Sequence, residues 1–69
     1  MRQRHRSITI ARLVRALERA ARTTEDPGFC VICGAEVGGV EPDAEGDRCV
    51  QCGERGVYGA EQLLIEASE

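Results

Sequence analysis

Lysine and tryptophan are missing from this 69-residue chain, aromatic residues are limited to Phe29 and Tyr58, and there is no long apolar run. Each shortage excludes something. Two aromatics and few large aliphatic residues cannot give so short a chain the buried apolar area that offsets its conformational entropy. A self-sufficient hydrophobic core is therefore excluded, and a cross-link, a metal or a partner must contribute. The nearest thing to an apolar segment, Ile8 to Leu17, is interrupted by Arg12 and Arg15, so it fits neither an export signal nor a membrane span. A cytoplasmic protein without a membrane partner is expected. All nine basic residues are arginine, as a GC-rich coding bias would produce, and the choice of Arg over Lys carries no message about guanidinium-specific recognition.

Catalytic groups are scarce too. Ser7 and Ser68 have no base partner in the pattern, and His5, the sole histidine, reads as an exposed tail residue without a role. The carboxylates of Glu41-Pro42-Asp43-Ala44-Glu45-Gly46-Asp47 read as solvated loop charge. The expectation is no enzymatic activity and no small-molecule substrate.

What the chain does have is four cysteines in two turns, Cys30-Val31-Ile32-Cys33-Gly34 and Cys49-Val50-Gln51-Cys52-Gly53, with fifteen residues between them. In a reducing compartment this spacing points to a metal site, not to disulfides. Two residues between ligands let one tight turn offer two sulfurs to adjacent corners of a tetrahedron, and the second turn supplies the other two. Gly34 and Gly53 each follow the second cysteine, where the turn calls for positive φ. Four thiolates leave no open position for water or substrate, so the expected cofactor is one structural Zn2+ on Cys30, Cys33, Cys49 and Cys52. Iron in a rubredoxin-like electron carrier is the rival, since that family also uses two such turns. Rubredoxins resemble this chain in those turns alone, because their aromatic-rich core is missing here.

The rest of the chain is organised around that site. Residues 1–6 form a basic tail. Residues 7–24 read as an amphipathic helix capped by Ser7, with Ile10, Leu13, Val14, Leu17 and Ala21 on one stripe and Arg12, Arg15, Arg19 and Arg22 within an arc of roughly 80° on another side. Pro27-Gly28 breaks the chain. Residues 25–58 form the cysteine ribbon, with strand-like pieces at Phe29 to Ile32, Glu36 to Val40 and Val57 to Tyr58, and residues 59–69 form a short helix with Ala60, Leu63, Leu64 and Ala67 on one face. The expected fold is a small α+β metal-stabilised domain: amphipathic helix, four-cysteine zinc ribbon with short β-hairpins, and closing helix.

The segment from Gly28 to Leu64 resembles a group of small zinc-ribbon proteins of bacteria and their phages. The shared frame falls on Gly28, Phe29, the four cysteines, Gly34, Glu41-Pro42-Asp43-Ala44, Gly53 and Val57 to Glu61. The resemblance implies a zinc ribbon in a bacterial or phage-encoded setting, with a regulatory part among the expectations, and it implies no particular activity. A looser similarity links the helix and cysteine pairs to zinc-finger regulators that enter the secondary channel of bacterial RNA polymerase. The long acidic-tipped hairpin of that family is absent, so its mechanism does not carry over.

Charge is divided along the chain. Residues 1–24 carry seven arginines against Glu18 alone, and residues 25–69 carry eleven acids against Arg48 and Arg55. Such asymmetry calls for an anionic partner or for pairing between the halves. The expected function is a non-catalytic zinc module acting through protein contact, with a protein partner or a second copy meeting Ile10, Leu13, Val14 and Leu17. The alternative is a transcription-related nucleic-acid-binding ribbon using Arg12, Arg15, Arg19 and Arg22.

Overall fold

A β-branched cap and a pair of aliphatic residues set where the chain first becomes helical. In the computed structural model, which describes residues 4–23 and 26–68, helix α1 spans Ile10–Arg22. Thr9 is its N-cap, with extended backbone and Oγ1 accepting the Arg12 N–H at 3.1 Å. Ile8 precedes the cap and Leu13 follows one turn in. Both are buried in one cluster, a hydrophobic staple that fixes the entry of the chain. The cap is therefore Thr9 and not Ser7, because burying Ile8 keeps the backbone extended past Ser7. Thr23 closes the helix by donating its N–H to the Ala20 carbonyl at 3.2 Å. Residues 1–3 of the expected tail, residue 24 at the end of the expected first helix, residue 25 at the start of the expected ribbon and residue 69 of the expected closing helix lie outside the described residues.

Four short strands follow: β1 (Gly28–Cys30), β2 (Glu36–Val37), β3 (Glu45–Asp47) and β4 (Val57–Gly59), and helix α2 (Ala60–Ser68) ends the chain. The strands form one antiparallel sheet in the order β2-β1-β4-β3. Strand β3 corrects the expectation of a continuous acidic loop. Glu45 lies opposite Tyr58 and Asp47 opposite Val57, which leaves Gly46, at φ +81°, as an extra bulged residue. An acidic, bulged edge strand is also a poor template for pairing with other chains.

The sheet divides the interior in two through the alternation of side chains along each strand. Phe29 and its cross-strand partner Tyr58 face the helices, in a cluster with Ile8, Leu13, Ala16, Ala60 and Leu63. Cys30 and its partner Val57 face the other way, in a cluster with Cys49 and Val40. One layer is thus a small apolar core under two helices, and the other is built around cysteine. No helix is long and apolar enough to cross a membrane among the described residues.

The start of α2 rests on loop carbonyls. Ala60 donates to Pro27 O at 3.0 Å and Gln62 to Pro42 O at 3.2 Å, which satisfies backbone donors that no side chain caps. Gly59 lies so close to the carbonyls of Glu41 and Pro42 that a β-carbon there would collide with them. The segments Glu41 to Ala44 and Val57 to Glu61, distant in sequence, meet at this joint.

Candidate metal centre

The two cysteine turns have the same local construction. In the first, Gly34 donates to Cys30 O at 2.8 Å and Cys30 to Ala35 O at 2.9 Å; in the second, Gly53 donates to Cys49 O at 2.9 Å and Cys49 to Glu54 O at 2.8 Å. Gly34 and Gly53 sit at φ +82° and +78°, the left-handed region that the turn requires after its second cysteine. Each turn curls its backbone N–H groups inward. Cys33 N–H points to Cys30 Sγ at 3.5 Å and Gln51 N–H to Cys49 Sγ at 3.3 Å.

The sheet brings the turns face to face. Cys30 Sγ lies 3.7 Å from Cys52 Sγ, and Cys33 Sγ lies 3.7 Å from Cys49 Sγ. All four sulfurs lie within 4.8 Å of one another. A tetrahedral ion with metal–sulfur bonds of about 2.3 Å needs sulfurs about 3.8 Å apart, so the four thiols fit one ion held at their centre. None is in a disulfide. The first cysteine of each pair is buried, Cys33 is half-buried, and Cys52 lies toward solvent.

Electrostatics agree with a cation in that position. The N–H groups of Cys52 and Gln51 favour the thiolate of Cys49, which is lowered to about 7. At Cys52 the N–H of Glu54 acts in the same sense, but burial and the neighbouring thiols outweigh it and push the group up to about 12. Cys33 is also raised: the N–H of Ala35 favours its thiolate, and burial with the thiols of Cys30 and Cys49 prevails. The thiolate is thus favoured at Cys49 and disfavoured at Cys33 and Cys52. A cation among them is what allows all four to ionise together.

A clamp that the sequence reading missed holds the first turn from outside. Arg12 donates from one guanidinium nitrogen to Gly34 O at 2.9 Å and to Ser7 Oγ at 3.0 Å, with its carbon 4.6 Å from the centre of the Phe29 ring. The Ser7 N–H donates to His5 Nδ1 at 3.2 Å, so that nitrogen is an acceptor and accepts from the Ser7 hydroxyl at 2.8 Å as well. His5 is therefore not a free tail residue, and Ser7 does have a base beside it. The pair is packed over Gly34, where a β-carbon would come within 2.6 Å of Ser7 Oγ and 2.7 Å of His5 Nδ1. Its visible chemistry is this docking, since Arg12 occupies the same hydroxyl.

The remaining expected site residues separate. Arg19 pairs with Glu36 at 2.6 Å, so with Arg12 engaged at Gly34 the four arginines do not form one free cationic face. Leu13 is 0% exposed and belongs to the core, not to a surface. Leu17 is half-buried against that core, whereas Ile10 and Val14 remain 50% and 38% exposed.

Comparison with protein-family models, curated proteins and solved structures gives no match to this chain. The site stands on its own geometry: four cysteines on two turns of a small α+β domain, grouped as they would be to hold a metal ion.

Proposed function

We propose that this chain is a non-catalytic module built on one structural zinc ion and that it works by contacting protein. The observation that carries the reading is the closure of four sulfurs from two turns around one point. Four thiolates complete a tetrahedral shell and leave no position for a substrate or a reactive water. Four thiolates suit zinc and iron alike, and zinc is favoured because the domain lacks the aromatic core of rubredoxins. The resemblance of residues 28–64 to small bacterial and phage ribbons supports the same metal. Thiolates of this kind persist in a reducing compartment, which favours the cytoplasm.

Protein contact is supported by the exposed Ile10 and Val14 on α1. Nucleic-acid recognition is less well supported. Two of the four arginines are engaged within the chain, and no aromatic side chain is interleaved with them for stacking on bases.

Elemental analysis of protein purified in reducing buffer tests the proposal: about one zinc per chain is expected. Replacement of Cys30 or Cys49 by Ser should abolish both zinc and folded structure, because ligation and folding are coupled in domains this small. A red iron-loaded protein, or a metal-free folded one, would overturn it.

A further inference from the structure

The two cysteine turns share one backbone design and differ in what covers them. Each begins on a buried cysteine, Cys30 or Cys49, and ends on a glycine of positive φ, Gly34 or Gly53. Equivalent positions can therefore be compared in pairs. Val31 packs against the core beneath the helices and donates its N–H to Gly56 O at 2.8 Å, whereas Val50 is 83% exposed. Ile32 rests on Gly56, where a β-carbon would lie 3.0 Å from its side chain, whereas Gln51 is exposed. A β-carbon at Gly34 would strike Ser7 Oγ and His5 Nδ1, and one at Gly53 would meet nothing within 4 Å. Cys33 is half-buried and Cys52 is exposed.

The difference arises outside the turns. His5, Ser7 and Arg12 close over Gly34, and Arg12 holds its carbonyl at 2.9 Å. The second turn lies between β3 and β4, and every residue from Val50 to Arg55 is exposed. A shell assembled from these four sulfurs is sheltered at Cys30 and Cys49, partly covered at Cys33, and open at Cys52. With an ion bound all four are thiolates, so accessibility and not protonation decides which of them meets a reagent from solvent.

We propose that Cys52 is a modification site for soft electrophiles of the α,β-unsaturated carbonyl class, and that reaction there opens the metal centre. The Cys52 sulfur gives an electron pair to the β-carbon of the alkene. A C–S bond forms, the C=C π bond breaks, and the resulting enolate takes a proton from water. The product is a thioether without the charge of a thiolate, and three thiolates no longer close the tetrahedral shell, so the ion is freed. The exposed turn thereby loses its anchor to the rest of the domain, while the first turn keeps the cover of His5, Ser7 and Arg12.

The inference rests on the reading of the four sulfurs as one zinc centre, and its test separates the two. Zinc-loaded full-length protein, its metal content measured first, is treated with substoichiometric N-ethylmaleimide in the presence of a chromophoric chelator. Adducts are located by peptide mass spectrometry at low conversion. Cys52 should be modified at about tenfold or more the initial rate of any other cysteine, and zinc should reach the chelator in step with that adduct, faster than the chelator alone removes it. H5A/S7A, which uncovers Gly34, should raise the rate at Cys33 by about threefold or more and leave that at Cys52 unchanged. Adducts spread evenly over Cys33 and Cys52, or a Cys52 adduct that keeps its zinc, would overturn the inference and leave the zinc reading standing. An unchanged Cys33 rate in H5A/S7A would overturn the role given to the cover. A chain purified without zinc would overturn the reading beneath both.

Discussion

Removing the Arg12 side chain is the most informative single perturbation of the cysteine-bearing layer. Three interactions converge on its guanidinium: Gly34 O at 2.9 Å, Ser7 Oγ at 3.0 Å and the Phe29 ring at 4.6 Å. A hydrogen bond from a charged donor to a backbone carbonyl contributes about 1.5–3 kcal/mol when sheltered, and a partly exposed cation–π contact about 0.5–1 kcal/mol. Because Arg12 is only half-buried, solvent takes back part of this, and Arg12→Ala should cost about 2 kcal/mol. Gly34 directly follows a ligand, and metal binding is coupled to folding, so the same loss should weaken zinc binding by about thirtyfold. Arg12→Lys keeps a charge but not the planar guanidinium that lies over the Phe29 ring, and should fall between wild type and Ala. Competition with a chromophoric chelator gives the affinity, and denaturant unfolding of the zinc-loaded protein gives the stability. An Arg12→Ala variant with zinc affinity within about twofold of wild type and an unchanged unfolding midpoint would refute the clamp.

Other substitutions probe the joints of the fold. Gly59→Ala places a β-carbon against the Glu41 and Pro42 carbonyls and should prevent α2 from docking. Gly38→Ala, which meets nothing within 4 Å, should be neutral or stabilising by up to about 1 kcal/mol; thermal unfolding monitored by circular dichroism compares the two. Thr9→Ala removes the acceptor for the Arg12 N–H and should cost about 1 kcal/mol in the same assay. Acid should release the metal. With Cys52 raised to about 12, its sulfur already holds a proton at neutral pH unless a cation displaces it, and Cys49, lowered to about 7, takes one up as the pH falls through 7, so protons compete with the ion increasingly in acid. Apparent zinc affinity should thus fall steadily from pH 7 to pH 5 in a chelator titration.

The cysteine cluster was legible because its geometry is local. Two residues between cysteines and a glycine after each pair determine a turn that can be read without knowing the fold, and both glycines take the positive φ that the spacing calls for. The helices were legible by period, though α1 begins at Ile10 and not at Ser7. There the competing force was burial of Ile8, a tertiary contact that no local capping rule contains. Strand β3 was hidden because Glu45-Gly46-Asp47 has the composition of a loop and pairs with β4 only through a bulge at its own Gly46. The roles of Arg12 and His5 were hidden for a related reason. Their partner Gly34 lies 22 residues beyond Arg12 in sequence, and only the fold brings the N-terminal segment onto the cysteine turn. Gly59 and Pro42, far apart in sequence, likewise meet at a joint that only the fold discloses.

X-ray absorption at the zinc edge, on protein purified in reducing buffer, tests the central claim most directly. The tetrathiolate centre predicts a shell of four sulfurs at about 2.3 Å with no oxygen or nitrogen ligand. A mixed shell containing oxygen or nitrogen, or a folded protein without zinc, would contradict it.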